Sequence, residues 1–279
     1  MSQPLRSALD AATQRLTSAG VPSARHDAEA LAAYVLGCSR GQLVTEELID
    51  GPAYDALVAR RAAREPLQHL LGRAAFRYVE LEVGPGVFVP RPETEVVAGW
   101  VIDAARAMGA APVVVDLCTG SGAIALAVVT EVPGSVVHAV ELDPAAHAWA
   151  QRNLAGSGVA LHLGDAATAL TELDGAVDAV VSNPPYIPYD AWESVDPEVR
   201  DHDPALALWA HGEGLAVVEA VAATAARLLR PGGVVAVEHA DVQGDAVVAI
   251  FAADGRWADV RDHPDLAGRS RFTTARRVG

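Results

Sequence analysis

From Leu5 to about Leu71 apolar residues recur every three to four positions, with Leu5, Leu9 and Leu16 on one stripe and Ala28, Leu31, Ala32 and Val35 on another. That period belongs to helices that bury one face. Gly20-Val21-Pro22 interrupts the pattern, a second helix is capped near Ser23 and stopped by Gly37, and Pro52 suits the first turn of a third. Residues 1–73 therefore read as a small helical domain. Between Phe76 and Val89 the pattern changes to two β-rich runs around Gly84-Pro85-Gly86, which predicts a hairpin, so that residues 74–91 form a linker. After Pro92 a helix is expected through Met108. Then valine-rich runs at 113–117, 136–142, 159–164, 177–182 and 234–239 alternate with helical segments, and two last strands fall near Trp257–Val260 and Phe272–Arg276. Alternating βα units with strands that lack a polar face predict a mostly parallel sheet covered on both sides. The expected fold class is α/β, a seven-stranded Rossmann-like sheet over residues 92–279 with the helical domain joined to it by the hairpin.

Composition narrows the choice of function. The 279 residues are 51% hydrophobic and 20% charged, which supports a packed core. Acidic residues outnumber basic ones by 36 to 21, every basic residue is Arg, and the formal net charge is -15. A field of that sign repels phosphate backbones and argues against a direct nucleic-acid substrate. No apolar run is long enough to span a membrane and the N-terminus does not read as a secretory signal, so a cytoplasmic location is expected. Cys38 and Cys118 are too few for a disulfide framework, and the nine histidines and two cysteines show no metal-ligand spacing, so no metal site is expected.

The run VVVDL leads directly into Cys118-Thr119-Gly120-Ser121-Gly122 and then a helical AIALAVV. A glycine loop at the carboxyl end of a first parallel strand is a place where ligands bind, because the backbone can approach them closely. Gly120, Gly122 and Ala125 also satisfy the dinucleotide pattern G-x-G-x-x-G/A, and Glu141 lies 19 residues beyond Gly122. A carboxylate there would accept from the vicinal hydroxyls of a ribose, whichever nucleoside cofactor carries it. Asp165, ending LHLGD, is a candidate acceptor for an adenine amino group and equally a turn-forming residue. Asn183-Pro184-Pro185-Tyr186 follows the fourth strand. Its two prolines lack N–H donors, so the loop is rich in acceptors. A carboxamide nitrogen is a poor nucleophile because its lone pair is delocalised. If the Asn183 side-chain oxygen and the Pro184 carbonyl each accept one of its N–H groups, the nitrogen is oriented and its developing positive charge stabilised. Tyr186 would pack against the flat acceptor group. Asn183, Pro184 and Tyr186 are thus the catalytic candidates, and Asn183, Pro184, Pro185 and Tyr186 the substrate-binding ones.

With these motifs the chain resembles the release-factor glutamine N5-methyltransferases over nearly its whole length. The matching segments are PLQHLLGRAAF, VFVPRPETE, DLCTGSGAIALA, VSNPPYIP, HDPALAL followed by GEGL, LLRPGGVVAVEH and DLAGRSRFTTAR. NPPY alone is shared with many nucleic-acid methyltransferases; VPRPETE together with NPPYIP is far more specific. The resemblance implies transfer of a methyl group from S-adenosylmethionine to the glutamine of the Gly-Gly-Gln loop of peptide chain release factors, which the N-terminal helices would help recognise. It also implies that Cys118, Thr119, Gly120, Ser121, Gly122, Glu141, Asp165, Ala166 and Asn183 bind the cofactor. Cys118 and Glu141 stand where family members often have Gly and Asp. Arg91 and Glu93 fit either an ion pair locking the hairpin or a substrate contact. The rivals are a DNA or RNA base amino-methyltransferase, a nicotinamide-dependent oxidoreductase, and a catalytically silent cofactor-binding scaffold.

Overall fold

Successive residues of the valine-rich strands enter two different cores, which is why these strands carry no polar face. The computed structural model describes residues 1–279 and divides into two compact units, Met1–Arg73 with Asp196–His202, and Ala74–Val195 with Asp203–Gly279.

In the first unit, helices Leu5–Ser18, Ala24–Leu36, Gly51–Ala62 and Leu67–Leu71 surround a core that includes Leu9, Leu16, Leu31 and Tyr54. Pro52 occupies the first turn of its helix, and Gly37, at φ 64°, closes the second helix in the left-handed conformation that glycine adopts most easily. The unit also contains a segment absent from the sequence-based boundaries. Asp196–His202, read within the second domain, packs here instead. The reason is electrostatic: buried Arg61 bridges Asp27 at 2.8 Å and Glu198 at 2.7 Å, while Arg64 pairs with Asp196 at 2.8 Å. Nothing in local periodicity reports such a pairing.

The second unit is built on seven strands: β1 Val113–Leu117, β2 Val136–Glu141, β3 Ala160–Leu163, β4 Val177–Ser182, β5 Leu229–Glu238, β6 Trp257–Pro264 and β7 Ser270–Arg277. Their order is β6-β7-β5-β4-β1-β2-β3, with β1 to β5 parallel and β7 antiparallel to both β5 and β6. Val114, Ala179, Val181 and Ala236 pack on one face with helices Thr94–Ala107 and Ala123–Glu131. Val115, Leu117, Val180 and Val235 pack on the other with helices Ala216–Leu228 and Gly244–Ala253. Burial on both faces removes the alternation that a half-exposed strand would show. Strand β5 begins earlier than expected, at Leu229, because Leu229 already pairs with Val177; the register then shifts before Val234 pairs with Ala179.

The hairpin differs from the expectation. Its strands are Arg73–Phe76 and Val79–Glu82, joined through Arg77, whose φ is 50°, and Tyr78. Gly84-Pro85-Gly86 comes after the second strand and seats Trp149, whose indole N–H donates to the Pro85 carbonyl at 3.3 Å. A Cβ on Gly84 would lie 2.8 Å from that ring. The Val87–Val89 run forms no strand; both valines are buried plugs, and the Val89 N–H turns to Asp203.

Candidate functional site

After β1 the chain builds β2 and β3 to one side, then returns to place β4 on the other flank of β1, so the strand order reverses between β1 and β4. Ligands of open α/β sheets bind outside the carboxyl ends at such a point. Leu117 and Ser182 pair as the last residues of these two strands, and the Ser182 hydroxyl donates to the Leu117 carbonyl at 2.7 Å. The glycine loop and the NPPY loop consequently leave neighbouring strand ends.

The glycine loop is folded around a buried carboxylate. Asp116 Oδ2 accepts from the Thr119 hydroxyl at 2.6 Å and from the Ala125 N–H at 3.1 Å, tying the strand to the first turn of the next helix. Burial pushes Asp116 up to about 7 against the pull of these two donors. The Thr119 N–H donates to the Val140 carbonyl, and Asn153 donates to the Ser121 carbonyl. Cys118, Gly120 and Gly122 have φ of 63°, 56° and 84°. Cys118 therefore holds a left-handed conformation that a glycine would adopt without steric cost. Its thiol is pushed up to about 12, chiefly by burial, and is no nucleophile near neutrality. The two glycines serve different ends: a Cβ on Gly122 would press on Leu154 at 3.0 Å, whereas one on Gly120 would meet nothing within 4 Å.

Glu141 closes the loop from β2. Its Oε2 accepts from the Gly120 N–H and its Oε1 from the Asp143 N–H, each at 2.8 Å. Burial raises its proton affinity, opposed by backbone N–H donors from Asp143, Gly120 and Leu142. A carboxylate offers about four lone-pair positions, so these backbone donors still leave acceptor capacity. Asp165 is exposed and accepts from the Ala167 N–H at 2.9 Å, the turn expected of such a residue. Ala166 is buried in the core cluster that includes Leu117 and Val140, which leaves its backbone as what it can offer a ligand.

The acceptor loop is held by residues distant in sequence. Asn183 Nδ2 donates to the Thr94 hydroxyl at 3.2 Å, and the Tyr186 hydroxyl donates to Glu238 Oε1 at 3.4 Å. Glu238 is 1% exposed; burial pushes it up to about 7, while the Thr94 hydroxyl, Arg271 and Tyr186 favour its ionised form and Glu93 opposes it. Tyr186 is driven well above the usual phenol range by burial and by Glu238. Gln243 Nε2 donates to the carbonyls of Tyr186 and Glu213 at 2.9 and 3.0 Å. Gly214, at φ 83°, lies so close that a Cβ would stand 2.1 Å from the Tyr186 carbonyl oxygen. The GEGL segment therefore buttresses the acceptor loop, and only glycine fits. Arg91 pairs with buried Asp203 at 2.5 Å, and the same carboxylate accepts from the Val89 N–H. The pair ties the segment that follows the hairpin to HDPAL, and the acid in it is Asp203 rather than Glu93.

Sequence reading missed Asp116, Thr94, Gly214, Glu238 and Gln243. Two carried a signal: Asp116 and Glu238 are acids inside apolar strands, where burial is costly without a purpose. No group of three or more His, Cys, Asp or Glu side chains is placed to hold a metal ion.

Comparison with known proteins extends this geometry. Residues 7–72 match the model described as PrmC N-terminal domain, and residues 101–194 match Methyltransferase small domain. The chain is 63% identical to the release factor glutamine methyltransferase of Streptomyces coelicolor, with 96% of each chain covered. It is 51% identical to the protein of that name in Mycolicibacterium smegmatis, with 98% of each covered. It is also 44% identical to a 4-amino-L-phenylalanine/4-methylamino-L-phenylalanine methyltransferase of Streptomyces pristinaespiralis, over 93% of this chain and 91% of the relative.

Proposed function

Because this chain belongs to the release factor glutamine methyltransferase family, it methylates a release-factor glutamine, and we propose that S-adenosylmethionine is the donor and the side-chain amide nitrogen the acceptor. The observation that carries the reading is the placement of a carboxylate-closed glycine loop and an acceptor-rich NPPY loop on paired strand ends.

The residues present fit the cofactor. Gly120 borders open space, Glu141 retains acceptor capacity for ribose hydroxyls, and the turn at Asp165 brings backbone groups of Asp165 and Ala166 to the end of β3. Cys118, Thr119, Ser121 and Gly122 contribute backbone and shape. When bound, S-adenosylmethionine supplies a methyl group on a positively charged sulfur. Asn183 Oδ1 and the Pro184 carbonyl would accept the two N–H groups of the glutamine, aim its lone pair, and share the positive charge that grows on nitrogen until one of those protons is released to solvent, leaving the N-methyl amide with S-adenosylhomocysteine as the other product. Pro185 keeps the loop stiff, and Tyr186, fixed at both its hydroxyl and its carbonyl, packs on the amide plane.

We assign the substrate glutamine to a Gly-Gly-Gln loop and the docking of the release factor to residues 1–73. No helix is long and apolar enough to cross a membrane, and a cytoplasmic site of action goes with a partner in translation termination. Labelled S-adenosylmethionine offered in parallel to release factor, DNA, ribosomal RNA and 4-amino-L-phenylalanine tests the reading. A single methyl group on the release-factor glutamine, located by mass spectrometry, is expected. Preferential labelling of nucleic acid or of the arylamine would overturn the substrate assignment.

A further inference from the structure

Asn183-Pro184-Pro185 is a short span that needs an anchor at each end. At the near end Ser182 is the last paired residue of β4, and its hydroxyl donates to the Leu117 carbonyl at 2.7 Å. Within the span each proline ring fixes its own φ near about −65°. Few torsions therefore separate the Pro184 carbonyl from the far end, and a shift of that end is passed back to it. The far end is Tyr186.

The Tyr186 carbonyl is held by Gln243, a buried residue at the start of helix Gly244–Ala253. Gln243 is locked to Ala240 twice: its backbone N–H donates to the Ala240 carbonyl at 2.9 Å, and its Oε1 accepts from the Ala240 N–H at 3.0 Å. A backbone N–H can meet only the oxygen of the amide, so this second bond fixes which way the side chain is turned. Its NH2 group then donates to the carbonyls of Tyr186 and Glu213 at 2.9 and 3.0 Å. Both side-chain protons are committed to backbone, and none is left for a substrate. Gly214 closes the other side of the same contact, where a Cβ would stand 2.6 Å from Gln243 Nε2.

We propose that Gln243 is a positioning residue for methyl transfer: it ties the Tyr186 carbonyl to the GEGL backbone and to a helix start, and so keeps the Pro184 carbonyl aimed at the acceptor nitrogen. The inference deepens the proposed function and rests on the role assigned there to the acceptor loop. Without the amide, the carbonyls of Tyr186 and Glu213 lose the donor they share, and a buried acceptor left without a donor is costly. The end of the loop relieves that cost by swinging away. Beyond the contact, Ile187-Pro188 remains paired with Trp209-Ala210, so the segment stays attached while its aim is loosened.

The test is single-turnover methyl transfer to intact release factor at saturating cofactor, with the Kd for S-adenosylmethionine and the KM for release factor measured alongside. Gln243→Met keeps the length of the side chain and removes both donors; it is expected to slow transfer by about tenfold to a hundredfold, with Kd and KM little changed. Gln243→Glu keeps the shape and puts a second acceptor where the NH2 group was. It should be at least as slow, and it supplies the same reading if the methionine variant does not fold. Gly214→Ala displaces the same carbonyl from the other side, so adding Gln243→Met to it should slow transfer by much less than the full factor of Gln243→Met alone. The proposal fails if Asn183→Ala is slow while the Gln243 variants run at the normal rate. It fails equally if their rate falls only in step with losses of Kd and KM, as a general loosening of the fold would cause, or if the factors of Gln243→Met and Gly214→Ala multiply. A normal rate for Asn183→Ala itself would instead remove the parent reading.

Discussion

Residues 118–122 and 183–186 emerge from adjacent strands, yet they are fixed from very different distances along the chain. The glycine loop is held by Asp116, Ala125, Val140, Glu141 and Asn153, all within about three dozen positions. The acceptor loop is held by Thr94, Gly214, Glu238 and Gln243, the first of them 89 residues away. A loop fixed by its own neighbourhood is a binding cradle shaped by β1, β2 and the helices that directly follow them. A loop fixed by three distant segments is placed only when the whole unit has folded. The acceptors proposed for the substrate amide belong to the second kind, where a small displacement costs the most rate.

Three substitutions press on this division. The largest effect is expected at Asn183. Asn183→Ala removes one of two positioned acceptors and should lower the methyl-transfer rate about a hundredfold to a thousandfold; because the resemblance also puts Asn183 beside the cofactor, calorimetric binding of S-adenosylmethionine should weaken as well, but by no more than about twofold, and a loss of affinity as large as the loss of rate would show that the acceptor loop is also the cradle. Next comes Glu141→Ala, which removes a carboxylate assigned to ribose hydroxyls and already bonded to the Gly120 N–H. Its cost is roughly tenfold to a hundredfold in cofactor Kd, with the rate at saturating cofactor preserved. An unchanged Kd would take Glu141 out of the site.

The smallest effect on the reaction itself concerns Asp116, which bears on stability. Its folded-state value of about 7 lies above the ordinary 3.8 because burial favours the neutral acid. The stability this contributes is therefore fully present below about pH 4 and is lost as pH rises through about 7. Asp116→Asn has no such proton to lose. Between pH 4.5 and 7.5 the variant should gain on the native chain by on the order of 3 kcal/mol, several degrees in Tm. Parallel melting curves at pH 4.5 and 7.5 check the sign, and a gap that stays constant would mean that Asp116 does not titrate in this range.

How much was legible in the sequence follows the same line. The two-face burial of β1 and β4 shows in their valine runs, and the left-handed turns of the glycine loop show in Gly120 and Gly122. Asn183 and Pro184 announce themselves because their chemistry is local to the motif. The hairpin was misplaced because Gly84-Pro85-Gly86 has the composition of a strand-connecting turn, yet in the fold it is a seat for Trp149. The placement of Asp196–His202 on the helical unit depends on Arg61 and Arg64, more than 130 residues earlier, and no periodicity carries information across that gap. Thr94 and Glu238 stand in segments that mark the family resemblance, but their roles depend on a side-chain chain of contacts that only a folded sheet creates.

The central claim is that one loop binds and the other reacts. Combining Glu141→Ala with Asn183→Ala and measuring both cofactor Kd and the single-turnover rate at saturation tests it most directly. The account predicts that the double variant has the Kd of Glu141→Ala and the rate of Asn183→Ala, each within about twofold of the single variant. A double variant whose rate or affinity departs from those single-variant values by tenfold or more would contradict the separation of the two loops.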